Sequence, residues 1–160
     1  MYLLILSLNN MFELIEKIHE NSVLKIKGKE FRVLAKVKYV TQTETSNRYV
    51  KVQLENHFVL VIAPFDNYMY FGYVGTPFPC DFPAPDSIEY NGKKYTKEAE
   101  DYQIVKEFIF GDVLNMEGEV QYADFSYWDS LISIGVISRT KERADVYADI
   151  IDLQDICIVE

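Results

Sequence analysis

Residues 30–40 of this 160-residue chain read EFRVLAKVKYV, and their pattern decides the fold. Apolar side chains stand at every second position from Phe31 to Tyr39, and Arg32, Lys36 and Lys38 stand between them. Successive side chains of an extended strand point to opposite faces, so this alternation predicts a half-buried β-strand. We therefore expect the apolar set inside and the three basic side chains in solvent.

The same period of two continues in RYVKVQLEN (48–56). Its aliphatic side chains are predicted to face inward, and Lys51 and Gln53 are predicted to face outward. The polar residues 43–47 between the two runs predict a turn, so the runs are expected to pair as a hairpin.

Further strands are predicted along the rest of the chain. The runs 57–65 and 67–75 are apolar almost throughout, which is typical of strands covered on both faces. Asn91–Gly92 predicts a tight hairpin, because a type I′ turn needs positive φ at both central residues. Residues 145–160 combine helical and strand features, and we favour strand. Three other runs are also strand-like: YQIVKEFIFG (102–111), GEVQYADFSYW (118–128) and LISIGVISR (131–139).

The N-terminal region is the exception to the strand pattern. In residues 11–20, MFELIEKIHE, the apolar positions share one helical face, which predicts a short amphipathic helix. Residues 1–10 are apolar, but they are too short for a membrane span and lack the features of a signal peptide. Two interpretations of residues 1–10 stay open, an N-terminal extension or an edge strand.

Together these runs predict a mainly β protein of antiparallel sheets, arranged as a sandwich or a half-barrel, with one short N-terminal helix. Residues 11–160 are expected to form one domain, with two similar halves at 22–75 and 88–160. The halves are proposed because KIKGKEFRV (25–33) resembles EYNGKKYTK (89–97). A duplication and a chance likeness between strands with glycine turns both explain this resemblance.

The two halves are joined by TPFPCDFPAPDS (76–87), which holds four of the five prolines. The prolines do not fall in the P-x-x-P register of docking peptides, and a flexible linker would leave Phe78 and Phe82 exposed. We therefore expect a stiff, extended crossover with both phenylalanines packed onto the body. A lid over a site is the alternative.

The order of these pieces resembles a bacterial all-β family called domain of unknown function 4178. The resemblance lies in RYVKVQLEN, EYNGKKY, YADFSYWD and LISIG, which span most of residues 23–137. The sequence departs from the family pattern at Val50, where the family tends to have tryptophan, and at Val52 and Gln53, which replace an acid–aromatic pair. The resemblance implies an all-β fold and no established activity.

The charge of the chain limits its partners. The net charge is −9. Residues 1–60 carry nine basic and six acidic side chains, and residues 61–160 carry seven and nineteen. An acidic surface repels phosphate backbones, so nucleic-acid binding is not expected. A basic protein partner suits the acidic half, although solubility alone also explains it. Two cysteines form no disulfide framework, so a cytoplasmic location is predicted.

No catalytic, metal or phosphate motif occurs in the sequence, so no cofactor is predicted and an enzyme is not the favoured class. One alternative is a carboxylate-based active site made from Glu117, Glu119 and Asp124, beside Tyr122 and Trp128. Such a site requires a pocket that gathers two of these carboxylates with raised pKa values.

Aromatic residues are the most distinctive candidates for binding, because tyrosine and tryptophan combine a large apolar body with a polar tip. The binding-site hypothesis names Tyr70, Tyr73, Tyr122, Phe125, Tyr127 and Trp128.

The favoured function is a non-enzymatic protein-binding or accessory module. One version of it is an immunity-type protein that inhibits a basic toxin, and a carboxylate-based enzyme is the second class. Ligand binding inside a barrel is the third class, and it requires an internal cavity of roughly a few hundred Å³. The oligomeric state stays open.

Overall fold

The computed structural model describes residues 2–41, 48–111 and 119–159. These residues form one helix and eleven strands. The elements are α1 (Tyr2–Lys17), β1 (Val23–Ile26), β2 (Lys29–Thr41), β3 (Arg48–Leu54), β4 (Phe58–Ala63), β5 (Tyr68–Val74), β6 (Ser87–Tyr90), β7 (Lys93–Phe110), β8 (Glu119–Tyr127), β9 (Ser130–Ile137), β10 (Val146–Ile151) and β11 (Ile156–Val159). The prediction of a mainly β protein with antiparallel pairing and one N-terminal helix is confirmed.

The sheet closes on itself. Its strands follow the order β11-β1-β2-β3-β4-β5-β10-β9-β8-β7-β6, and β7 also pairs with β2. The eight strands from β2 to β7 in this order therefore make a closed antiparallel barrel, where the sequence predicted a sandwich or a half-barrel. Strands β1 and β11 extend the sheet beside the start of β2, and β6 pairs with the start of β7.

The chain builds the barrel in two runs of the same strand order. Strands β1 to β5 form a hairpin followed by consecutive antiparallel neighbours, and strands β6 to β10 do the same. Both hairpins turn through two residues of positive φ, Lys27–Gly28 and Asn91–Gly92. The hairpin predicted at Asn91–Gly92 is confirmed. Two seams, β2–β7 and β5–β10, join the runs.

One face of the first run packs under the helix. The core there combines α1 side chains with the aliphatic face of β3 and β4 and with both strands of the β1–β2 hairpin. Its buried members are Met11, Ile15, Ile18, Leu24, Ile26, Phe31, Val33, Val50, Val52, Leu54, Leu60, Ile62, Met69, Ile151 and Ile156. Burial of this apolar area makes the main favourable contribution to the free energy of packing α1 against the sheet.

Lys36 lies in this covered region, although the alternation predicted it in solvent. Its Nζ donates hydrogen bonds to the carbonyl oxygens of Ile15 and Ile18, each at 2.7 Å. The last carbonyls of a helix have no intrahelical partner and carry partial negative charge, so a lysine ammonium satisfies them. The prediction failed because the helix covers the face on which Lys36 lies.

The structure gives the secondary structure of two terminal segments that the sequence left open, while an N-terminal extension at residues 1–10 stays a prediction. Residues 2–10 are helical and continue into the predicted helix, so they form no edge strand. The helix ends at Lys17 and includes the apolar N-terminal run. The C-terminal segment forms β10 and β11, as favoured from the sequence. The turn predicted at 43–47 lies outside the described residues. Within the described residues, no helix is both long enough and apolar enough to span a membrane.

The proline-rich segment connects β5 to β6 and packs on the outer face of the second run. Phe78 and Phe82 contact a core that includes Phe125, Ile132 and Ile134. This is the packing expected of the two phenylalanines.

A buried ion pair fixes the segment to the barrel. Arg143 and Asp145 form a two-point contact, with Nη2–Oδ2 at 2.7 Å and Nε–Oδ1 at 3.0 Å. Arg143 also donates to the carbonyl oxygens of Phe78 and Cys80, and Asp145 accepts from the Phe78 amide at 2.7 Å. Asp145 is only 1% exposed, so Arg143 is the charge that compensates its burial.

We predict that Arg143→Gln lowers the free energy of unfolding by about 2 kcal/mol, because it leaves a buried carboxylate without its charged partner. Amide hydrogen exchange at Phe78 should accelerate in the same variant. Chemical denaturation and exchange NMR measure the two effects. Arg139→Gln, at an exposed turn position, is the matched control. Equal stability of the two variants would contradict this role for Arg143.

Candidate functional site

The inner face of the barrel holds two residues that the sequence assigned to solvent, Lys51 and Gln53. Lys51 on β3 lies opposite Val61 on β4, which lies opposite Tyr70 on β5. These positions all face the interior, while Val50 and its aliphatic neighbours on β3 face the core under the helix. The outward orientation predicted for Lys51 and Gln53 is therefore wrong, because both faces of this strand are covered.

The interior is not completely filled by side chains. A cavity of about 420 Å³ occupies it. Its wall residues come from seven of the eight barrel strands and from two turns at one end. They are Tyr49, Val61, Asp66, Tyr68, Tyr70, Glu98, Ala99, Gln103, Tyr122, Asp124, Ser126, Trp128, Leu131, Ser133 and Ile150. Residues that are distant in sequence meet here only because the two seams close the sheet.

Tyrosines form much of the wall. Tyr68 and Tyr70 stack with ring centroids 6.1 Å apart, and Tyr39 stacks on Tyr49 at 5.5 Å. The Tyr49 hydroxyl donates a hydrogen bond to Gln103 Oε1. Burial raises the pKa of Tyr49, Tyr68 and Tyr70 above the ordinary value, so these hydroxyls stay protonated at neutral pH.

Asp124 is the distinctive polar group of the cavity. It lies opposite Ser133 in the β8–β9 pair, and a hydrogen bond from Ser133 favours its charged form. Its Oδ1 is buried and accepts no hydrogen bond from any residue that the structure describes. Burial raises the pKa of Asp124, and this effect outweighs the opposing effects of Ser133 and Lys51. A buried acceptor without a partner is costly, so it marks a site at which a ligand would supply the missing donor.

Lys51 is a cationic side chain whose charge acts on Asp124. Its Nζ lies 5.1 Å from the centroid of the Tyr39 ring. Burial lowers the pKa of Lys51 to about 8, although the Asp124 charge acts in the opposite direction. The interior therefore holds an acidic and a basic group, both of which burial shifts toward their neutral forms.

The cavity opens beside two turns. Asp66 belongs to the turn between β4 and β5, and Trp128 belongs to the turn between β8 and β9. Trp128 is 86% exposed and has a positive φ of 51°. Glu98 lies at the same opening and accepts a hydrogen bond from Ser126 at 2.7 Å. A large apolar side chain thus stands in solvent at the entrance.

The six predicted binding residues are divided between the two surfaces of the barrel wall. Tyr70, Tyr122 and Trp128 line the cavity. The other three, Phe125, Tyr127 and Tyr73, lie on the outer surface. Phe125 is fully buried under the proline-rich segment, Tyr127 contacts Tyr95, and Tyr73 stacks on Tyr147.

The six residues selected from the sequence do not include Tyr49, Tyr68 and Gln103, which also line the cavity. Alternation within a strand could have grouped Tyr68 with Tyr70, but only closure brings Tyr49 and Gln103 to them.

The carboxylates of the predicted enzyme site do not gather. Asp124 lies in the cavity, Glu119 accepts a hydrogen bond from Ser138 at 3.0 Å and is absent from the cavity wall, and Glu117 lies outside the described residues. The two other carboxylates of the wall, Asp66 and Glu98, had not been selected. Within residues 2–41, 48–111 and 119–159, no group of three His, Cys, Asp or Glu side chains is placed to hold a metal ion.

No protein-family model, curated protein or solved structure matches this chain. The resemblance to domain of unknown function 4178 therefore stays a prediction, and the function is argued from the cavity.

Because burial lowers the pKa of Lys51, we predict a specific pH dependence of the free energy of unfolding. This pKa is lower in the folded than in the unfolded state, so the unfolded chain binds more protons between the two values. Stability should therefore rise with pH in that interval. Relative to Lys51→Met, the wild-type protein should gain about 2 kcal/mol between pH 7 and pH 10. Urea denaturation across this range measures the difference, and a constant difference would contradict burial of the ammonium.

Proposed function

We propose that this protein is a non-enzymatic binding module that takes a small organic molecule into the interior of its barrel. The observation that carries the proposal is the tyrosine-walled cavity of about 420 Å³ with a buried, unpartnered carboxylate oxygen at Asp124. Small-molecule sites commonly have volumes of roughly 300–1,000 Å³ and combine apolar walls with a few polar groups.

The size of the barrel supports this proposal. The interior of an eight-stranded barrel is either filled by side chains or left just wide enough for one small ligand. Here Ala99, Ser126 and Ser133 are small residues at wall positions, and the unfilled volume lies beside them. Larger aliphatic side chains at these positions would add buried apolar area and close the cavity. The composition of the wall therefore favours an open chamber over maximum stability.

The chemistry of the wall favours recognition over catalysis. Its hydroxyl groups belong to Tyr and Ser side chains, and none of the described wall residues is His or Cys. Raised tyrosine pKa values keep the phenols as hydrogen-bond donors and stacking surfaces. These groups can orient a ligand, while nucleophilic catalysis needs an activating base beside the hydroxyl.

A protein partner stays a prediction from the acidic composition of the second half, and so does the basic toxin of the immunity hypothesis. The cytoplasmic location is likewise a prediction from the sequence. A small ligand and a protein partner are compatible, because the cavity opening and the outer surface are separate parts of the barrel.

The proposal is tested by screening a fragment library against the protein. Trp128 is the sole tryptophan of the chain and stands at the cavity opening, so its fluorescence reports binding there. We expect hits that change this emission and raise the melting temperature. Ser126→Phe, which places a ring in the cavity, should weaken their binding by at least about tenfold. Thr140→Phe, at an exposed turn position, is the matched control and should leave binding unchanged.

Two results would contradict the proposal. One is a library that yields no hit at the cavity. The other is a set of hits that bind Ser126→Phe and the wild-type protein equally well. Circular dichroism of both variants establishes that they fold. If Ser126→Phe unfolds, Ala99→Leu introduces a smaller obstruction into the same cavity and takes its place.

A further inference from the structure

We infer that the ligand of the cavity is an organic cation, a protonated amine or a quaternary ammonium attached to a flat or apolar body. This inference rests on the proposed function and adds the charge of the ligand to it. It follows from three features of the cavity: the sign of its charges, the unpartnered oxygen of Asp124 and the tyrosine faces.

All the formal charges on the cavity wall have one sign. Asp66 and Glu98 lie at the opening, and Asp124 lies inside. Within the described part of the chain, no Lys, Arg or His belongs to the wall. A cleft with charges of one sign and walls of low dielectric concentrates ions of the opposite sign, so this cavity attracts cations.

Asp124 provides a specific contact for the cationic group. Its Oδ1 is buried without a hydrogen-bond partner among the residues described, while Ser133 hydrogen-bonds the same carboxyl group. An ammonium N–H would donate a charge-assisted hydrogen bond to this oxygen. A quaternary ammonium would satisfy the charge without the hydrogen bond. A neutral ligand would bring no positive charge to Asp124, and an anion would be repelled by the acidic wall.

The tyrosine walls suit the rest of such a ligand. The face of an aromatic ring carries partial negative charge and attracts cations within about 6 Å of its centroid. The protein already makes this contact in the interior, where Lys51 Nζ lies 5.1 Å from the centre of the Tyr39 ring. The stacked pair Tyr68–Tyr70 and the Tyr122 ring offer further aromatic surface along the cavity.

Lys51 does not fill this role itself. Its charge influences Asp124, yet it is not part of the cavity wall and Asp124 Oδ1 keeps no hydrogen-bond partner. The lysine offsets part of the negative potential deep in the barrel. Lys51 supplies one positive charge against the three carboxylates of the wall, so the cavity as a whole stays acidic.

The experiment uses three probes that share a phenol ring and differ in the charge of the side chain: tyramine (positive), tyrosol (neutral) and 4-hydroxyphenylacetate (negative). Dissociation constants are measured at neutral pH by NMR titration of the full chain. We expect tyramine to bind at least about tenfold more tightly than tyrosol. The acetate should bind most weakly.

Two variants test whether the charge of Asp124 causes the preference for tyramine over tyrosol. Asp124→Asn keeps the shape of the side chain and removes its charge, so it should reduce the tyramine-to-tyrosol preference to near unity. Asp149→Asn removes the same charge from an exposed position on β10 and should preserve the preference. If Asp124→Asn does not fold, Glu98→Gln at the opening serves instead, with a smaller reduction expected.

The outcomes separate this inference from the proposed function. Tyrosol or the acetate binding in the cavity as tightly as tyramine would overturn the cation assignment and leave the binding function intact. A tyramine preference that survives in Asp124→Asn would also overturn the assignment. If no probe and no library fragment binds in the cavity, the inference and the proposed function both fail.

Discussion

Closure of the sheet at two seams is the constraint on which the rest of the structure depends. At the β5–β10 seam, a Cβ at Gly72 would collide with the backbone of Tyr147 and Ala148. At the β2–β7 seam, Gly111 has a positive φ and lies directly against the backbone of Leu34 and Ala35. Glycine at both places lets the two runs of strands approach closely enough to pair. Without these seams the interior surface would not exist.

Closure also explains why the residues that stabilise the fold and the residues that line the candidate site lie on different faces of the same strands. The outward faces carry most of the large aliphatic side chains and are buried by α1, β1 and the proline-rich segment. These outer cores supply the apolar burial that drives folding. The inner face can therefore hold Lys51, Gln53 and Asp124. Two of their buried atoms, Gln53 Oε1 and Asp124 Oδ1, have no hydrogen-bond partner among the described residues. Buried polar atoms of this kind lower the stability of the fold locally, and they are typical of binding and catalytic sites.

The sequence predicted the elements far better than their environment. Period-two alternation identified β2 and β3, and Asn91–Gly92 identified a hairpin, because these signals are local. Alternation distinguishes two faces of a strand but does not say what covers each one. Lys36 and Lys51 were assigned to solvent for this reason, although one lies beneath the helix and the other inside the barrel. Asp124 was noted as a carboxylate near aromatic residues, but its neighbours Tyr49 and Gln103 come from strands that only closure brings together.

Methyl NMR of the protein with tyramine tests the central claim, that the barrel interior is the binding chamber, most directly. Val61, Leu131 and Ile150 carry methyl groups on the cavity wall, while Ile132 and Ile134 carry methyl groups in the outer core on the same sheet. The account predicts ligand-induced shifts and ligand–methyl Overhauser contacts at the first three residues and none at the other two. Contacts confined to Ile132 and Ile134, or shifts of equal size at all five residues, would contradict it.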